Sequence, residues 1–302
     1  MPQRCGSNAA SSASRGDPFH ALPDSVVQHV LGFLPAGDTV RTCVVARRWH
    51  ALWRSVARLR IVDVEVEDVW SLNRFVNRVL LLREPGCSLE ECEFDIRGFS
   101  DLYRVCADQW MRHALICNVR VLQLRLYADH HVHLGDWPLL SRHLMRLEPQ
   151  GLDLSGSFLD FSSCLVLEDL KITDCLIETD NILSHSLKHL NITGCELWWR
   201  LIPTHISAPN LTSLWLDDYF SVTPIIESMP LLETASVMLG HHHERYCNFC
   251  DKGEPGDCTC DMSIIYYASG RRNNVTVLLG GLSNVKYLEL KVAPETVRLH
   301  FI

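Results

Sequence analysis

The stretch GHHHERYCNFCDKGEPGDCTCDM, residues 240–262, carries the densest set of potential metal ligands in the chain. Cys247 and Cys250 form a Cys-x-x-Cys pair, Cys258 and Cys260 a Cys-x-Cys pair, and His241, His242 and His243 stand close by. Thiolate sulfur and imidazole nitrogen are the ligands that tetrahedral zinc takes. The Cys-x-Cys bite is tighter than a second Cys-x-x-Cys would be, which suits a single tetrahedral ion less well. Two readings follow: a structural zinc site on these four cysteines, or a surface insertion without metal. The tight bite counts against the metal site, and no cofactor is expected.

Other clusters offer less chemistry. His130, His131 and His133 in DHHVHLGD are adjacent in sequence, and neighbouring histidines rarely converge on one ion, so a solvated loop is expected. The chain contains no G-x-S-x-G, no H-E-x-x-H and no phosphate-binding glycine loop. Cysteines such as Cys43, Cys92, Cys117 and Cys164 sit singly in apolar runs, where cysteine packs as a small hydrophobe. The expectation is a noncatalytic protein.

The elements that would position a site begin with a basic head. Residues 1–60 hold eight arginines against Asp17, Asp24 and Asp38, while the whole chain of 302 residues carries a formal charge of -8. A basic head on an acidic body points to two parts with different partners. In LPDSVVQHVLGFLP, Pro23 suits a first helical position and Asp24 the first turn. Val26, Val27, Val30, Leu31 and Leu34 recur at helical spacing up to Pro35. After a Gly37-Asp38-Thr39 turn, a second helix is expected to align Val44, Val45, Trp49, Leu52, Trp53, Val56 and Leu59 on one face. Some forty residues cannot close a core around faces this wide, so a partner should cover them. Nucleic acid is not the expected partner, because the tryptophans lie in the apolar stripe and are not interleaved with the arginines.

These residues resemble the F-box, the helical motif by which substrate receptors hold the Skp-type adaptor of SCF cullin-RING ubiquitin ligases. The likeness rests on Leu22-Pro23-Asp24, Val30-Leu31, Leu34-Pro35, Val40-Arg41-Thr42-Cys43, Arg47-Arg48-Trp49 and Leu52-Trp53. Val45-Ala46 stands where many F-boxes read Leu-Ser, a departure that keeps the apolar face. The resemblance implies that Leu22, Pro23, Val30, Leu31, Leu34, Pro35, Val44, Trp49 and Trp53 hold the adaptor.

The body repeats a spacing. Leu167-Leu170-Ile172-Cys175 recurs as Leu187-Leu190-Ile192-Cys195, then as Leu211-Leu214-Leu216, Leu232-Ala235-Val237 and Val285-Leu288-Leu290, with Val119-Leu122-Leu124 and a poorer QGLDLSG upstream. An L-x-x-L-x-L pattern at a period of 20 to 29 is that of leucine-rich repeats, whose units bury their leucines only by stacking. The fold class expected is therefore α/β, an N-terminal helical F-box followed by an irregular leucine-rich-repeat solenoid. The divisions are a leader at 1–16, the F-box at 17–60, a linker with the first irregular strand and helix units at 61–118, and repeats at 119–302 with the Cys/His-rich insertion at 239–262.

That order resembles plant F-box/leucine-rich-repeat proteins, in which LLGGLSNVKYLEL at 278–290 and APNLTSLWL at 208–216 have close counterparts. Family members usually continue past the point where this chain stops. The resemblance implies a substrate-recognition subunit with an adaptor, a cullin scaffold and an unknown protein target as partners; the alternative is an interaction scaffold outside any ligase. Strand alternation between the repeat leucines assigns the target to Lys171, His189, Asn191, Trp215, Asp217 and Glu289, with Thr173, Ser213 and Lys291 beside them. No apolar window of membrane-spanning length and no secretory signal occur, so the expected location is the nucleus or cytoplasm, without membrane contact.

Overall fold

The computed structural model describes residues 22–42, 49–65, 68–100, 103–195, 204–217, 224–239, 281–283, 285–292 and 295–300. In the head, α1 spans Asp24–Leu31, α2 Ala36–Arg41 and α3 Trp49–Leu52, followed by a 3-10 turn over Trp53–Ser55. The expected long second helix is not continued to Leu59. Val56 is extended, and Leu59 belongs to strand β1, Arg58–Glu65. The reason is periodicity: Leu59 and Ile61 are buried while Arg60 and Val62 are only partly so, a two-residue alternation that a helix cannot satisfy.

Strand β1 opens a ten-stranded sheet that continues with β2 (Glu91–Arg97), β3 (Val121–Tyr127), β5 (Arg146–Gln150), β7 (Asp169–Thr173), β10 (His189–Thr193), β12 (Ser213–Asp217), β14 (Thr234–Leu239), β15 (Tyr287–Val292) and β16 (Glu295–His300). Chain order and sheet order coincide. Every pair is parallel until β15 and β16, which are antiparallel, so the sheet is mixed. Parallel neighbours require a return segment on one side of the sheet. The first two returns are helices, α4 (Val69–Leu81) and α5 (Arg104–Ile116). Later returns are short strands, which pair into two further parallel sheets: β4 (Val132–His133), β6 (Leu152–Ser155) and β8 (Leu176–Glu178), then β9 (Asn181–Leu183), β11 (His205–Ser207) and β13 (Ile225–Ile226).

The core lies between the main sheet and these returns. It is lined by Phe94, Leu122, Leu124, Leu147, Leu170, Ile172, Leu190, Ile192, Leu214 and Leu216 from the strands and by Val76, Trp110 and Met111 from the helices. Trp110 stacks on Phe94, ring centroids 5.8 Å apart, and donates through Nε1 to Asn73 Oδ1 at 2.8 Å, so its one polar atom is satisfied inside. Asp68 caps α4 by accepting from Trp70 N at 3.0 Å.

One unit differs from the sequence expectation. QGLDLSG supplies a strand of a return sheet, β6, while the main-sheet strand of that unit is β5, in which Pro149 replaces the second leucine. Proline has no N–H to donate, and the pairing of β5 with β7 is interrupted at Glu148 and Pro149. Several strands end on a left-handed residue, Gly98, Gly151, Asp174 or Gly194, that turns the next side chain inward; Phe99, Leu152, Cys175 and Cys195 are the buried results. Glycine is demanded most strongly at 151, where φ is 74° and a β-carbon would collide with the carbonyl of Leu126.

Candidate functional site

The head has two apolar stripes that a sequence reading merges into one. Val27, Leu31, Trp49, Leu52 and Val56 form a small core of their own, with Leu22 and Leu34 packed on it. Gln28 Nε2 donates to Ser55 Oγ at 2.7 Å and Thr39 Oγ1 to the Leu31 carbonyl at 3.0 Å, tying α1 to the 3-10 turn and to α2. Trp53 turns the other way and joins the main core. Val26, Val30 and Phe33 face solvent, the last two 51% exposed.

Of the predicted adaptor-binding set, Val30 and Pro23 are therefore at the surface, Leu22, Leu34 and Pro35 are partly covered, and Leu31, Trp49 and Trp53 are inside. Val44 lies outside the described residues. The expectation that a partner must cover all these side chains is corrected for Leu31, Trp49 and Trp53, because the head and the sheet already cover them. Val26 and Phe33 were absent from the predicted set. Helical spacing carried the signal for Val26, since 26 and 30 share one stripe and 27, 31 and 34 another. Phe33 lies past the end of α1, beside His29 edge-on at 5.0 Å and beneath the Arg58 guanidinium at 5.3 Å.

The head is fastened to the sheet at several points. Arg60 Nη1 donates to the Phe33 carbonyl at 2.9 Å, while its Nε donates to Glu93 Oε2 at 2.9 Å. Glu93 also accepts from Arg125 Nη1 at 2.7 Å. Burial works against the Glu93 carboxylate, but the two guanidinium groups outweigh it and hold its pKa below the ordinary range. Arg83 is buried and donates to the Val56 carbonyl at 2.8 Å, and Glu84 N donates to the Arg54 carbonyl at 3.0 Å.

The open face of the sheet carries the predicted target-binding residues. Register places Lys171 beside Asn191, Asn191 beside Trp215, Trp215 beside Ser236 and Ser236 beside Glu289, one continuous row across five strands. His189 and Asp217 lie in the flanking rows. Asp169 is engaged by His189 Nδ1 at 2.6 Å and by Arg146 at 3.2 Å. Asn191 accepts from Thr193 Oγ1 at 2.7 Å, and Glu289 accepts from Ser236 Oγ at 3.3 Å. Trp215 is 38% exposed, and Lys291 Nζ rests 4.6 Å above its ring centroid while donating to Asp217 Oδ2 at 3.1 Å. Lys171 is exposed, and the nearby carboxylate of Asp169 is already engaged.

A second ladder runs along the rim where the strands begin, built from the residue just before each strand. Glu90 pairs with Arg120 at 3.1 Å, Glu168 with Lys188 at 2.7 Å and Glu233 with Lys286 at 2.8 Å. Met145 and Thr212 hold the uncharged positions between these pairs. Such exposed pairs contribute little stability each, about 0 to 1 kcal/mol, and serve mainly to set the charge pattern of the rim.

No assembled catalytic geometry is found among the described residues. His133 Nδ1 faces both Asp153 Oδ2 at 2.9 Å and Ser155 Oγ at 3.4 Å. A hydroxyl-imidazole-carboxylate relay needs the two partners on different ring nitrogens. Burial raises the thiol pKa of Cys92, Cys106, Cys117, Cys164 and Cys175, which keeps these groups protonated. No group of three His, Cys, Asp or Glu side chains that could hold a metal ion occurs among the described residues. The zinc candidates Cys247, Cys250, Cys258 and Cys260 fall outside them, as do the leader and most of the insertion.

Comparison with known proteins adds to this geometry. Residues 19–61 match the F-box domain family. An F-box/LRR-repeat protein of Arabidopsis thaliana is 27% identical over 93% of this chain and 50% of its own length. A putative FBD-associated F-box protein of the same plant is 26% identical over 77% of the chain and 56% of its own length, and an F-box/FBD/LRR-repeat protein 25% identical over 96% and 70%. The chain spans about half the length of the first two relatives. No solved structure matches it.

Proposed function

We propose that this chain, an F-box protein of the plant F-box/leucine-rich-repeat kind, is the substrate-recognition subunit of an SCF-type cullin-RING ubiquitin ligase. The head binds a Skp-type adaptor, which joins it to a cullin scaffold, and the open sheet face binds a target protein. One observation carries the reading. The exposed apolar stripe of the F-box and the open face of the sheet belong to one fastened unit, with Arg60 bonded to Phe33 of the first and Glu93 of the second.

The strand-per-unit order, with strands starting at Asp169, His189, Ser213 and Thr234, supports reading residues 119–302 as an irregular leucine-rich-repeat solenoid. The antiparallel β15–β16 pair is an irregularity of that reading, and the helical returns α4 and α5 belong to the units at 61–118 that precede it. The protein is noncatalytic in this reading. It holds a target at high effective concentration near a ubiquitin carrier supplied by its partners. In this reading the insertion works without a metal, and the protein acts in the nucleus or cytoplasm.

The test is reconstitution. Purified chain mixed with an adaptor and cullin should co-elute with both, and the assembly should transfer ubiquitin to a captured target. A chain that captures targets but neither adaptor nor cullin is a scaffold outside any ligase and overturns the proposal.

A further inference from the structure

The rim ladder borders a groove of about 650 Å³ that is separate from the open face and belongs to none of the predicted sites. Its apolar part is Met145, Leu165, Val166 and Leu231, contributed by the loops that lead into strands β5, β7 and β14. Leu165 is 71% exposed and Leu231 53%, far more than loop leucines need to be when a core lies beneath them. Its charge is one-sided. Arg120, Arg142 and Lys188 line the groove, and Glu168 is the one carboxylate among its described lining residues; Lys188 holds Glu168 at 2.7 Å and Arg120 holds Glu90 at 3.1 Å, so the excess positive charge is that of Arg142. This is a positive, apolar trough on a chain whose formal charge is -8.

The dimensions select among occupants. The groove reaches from the residue before β3 to Leu231 in the loop before β14, so it spans six adjacent strands. At about 4.8 Å per strand that is roughly 24 Å, the length of about seven residues of extended chain. Among the described residues its lining holds no Phe, Tyr or Trp, the stacking platforms that single-stranded nucleic acid would need.

We infer that this groove is a second docking site, which takes a short extended segment of another protein carrying leucine-like side chains flanked by carboxylates. Leu165 and Leu231 receive the apolar side chains, and Arg142, for which no carboxylate partner is found among the described residues, faces the acids. This site goes beyond target binding on the open face, and it stands whether or not the F-box assembles a ligase.

The probe is a fluorescein-labelled heptapeptide, Glu-Leu-Glu-Glu-Leu-Glu-Leu, titrated with the full chain and followed by anisotropy. The expected result is saturable binding that weakens as salt is raised and falls at least tenfold in Leu165→Asp and in Arg142→Glu. Lys171→Ala and Trp215→Ala, on the open face, should bind the peptide as the parent does. Both groove positions are exposed, and melting curves should match the parent; Leu165→Ala replaces Leu165→Asp if the latter fails to fold. No saturable binding, equal binding of the peptide with lysine for glutamate, or equal loss in the open-face variants overturns the inference. Adaptor capture by the same variants is read separately, so failure of the ligase reading and failure of the groove are told apart.

Discussion

Lys291 on β15 lies with its ammonium 4.6 Å from the ring centroid of Trp215 on β12, bridging the intervening strand β14. The same ammonium donates to Asp217 at 3.1 Å, so the tryptophan is held flat beneath a cation. A cation over an indole contributes about 0.5 to 1 kcal/mol at an exposed site. Lys291→Ala should therefore cost less than about 1.5 kcal/mol in thermal unfolding, the lost ion pair included. Trp215→Ala should reduce target capture at least tenfold if the ring is an interface anchor. Retained capture with a loss of several kcal/mol in stability would instead assign Trp215 to packing.

The two stripes of α1 separate binding from folding. Leu31→Ala removes a fully buried side chain and should destabilise the chain by about 2 to 4 kcal/mol. Val30→Glu and Phe33→Glu change exposed residues and should leave the melting temperature within a few degrees of the parent. Adaptor capture should fall at least tenfold in both. The check is paired calorimetry and adaptor titration; adaptor binding that survives both surface changes would place the docking face elsewhere.

Glu93 gives the head-to-sheet junction a pH dependence. Its folded-state pKa is depressed, so the carboxylate contributes stability that is fully present above the ordinary glutamate value, about 4.3, and is lost as pH falls through the lower folded value. Denaturant midpoints measured from pH 6 to pH 3 should decline, and Arg60→Gln should make that decline shallower. An identical acid limb in the variant would show that Arg60 does not hold Glu93 ionised.

Gly151 and Gly86 both have positive φ, 74° and 87°, but their surroundings differ. Alanine at 86 meets open space and should cost only backbone strain, about 1 kcal/mol. Alanine at 151 adds a clash with the Leu126 carbonyl, whose backbone cannot retreat without disturbing β3, and should cost at least about 2 kcal/mol more. Urea denaturation of the two variants compares them directly.

The insertion is expected to be dispensable for folding. Removing residues 241–260 should leave the melting temperature unchanged, and a chelator should do the same to the full chain. Release of about one equivalent of zinc with a fall in melting temperature would assign Cys247, Cys250, Cys258 and Cys260 to a structural site.

Periodicity alone determined the helical character of the head and the strands carrying Leu170, Leu190, Leu214 and Leu288, because a repeating apolar pattern is a local property of the chain; it misplaced Leu59, which reads as the end of a helical face and belongs to β1. Which apolar residues the head keeps for itself was a tertiary matter. Val27 and Val30 have the same composition and neighbouring positions, and only the docking of α3 against α1 buries one and leaves the other in solvent. The strand β5 was hidden because Pro149 breaks the leucine pattern, and its place was decided by pairing with Leu122 and Leu170, which lie 25 and 23 residues away from Leu147. The row Lys171, Asn191, Trp215 was legible by alternation. That Lys291 would reach back over Trp215, and that Leu165 and Leu231 would meet at one rim groove, required the parallel register of successive strands, a long-range relation that no local pattern encodes.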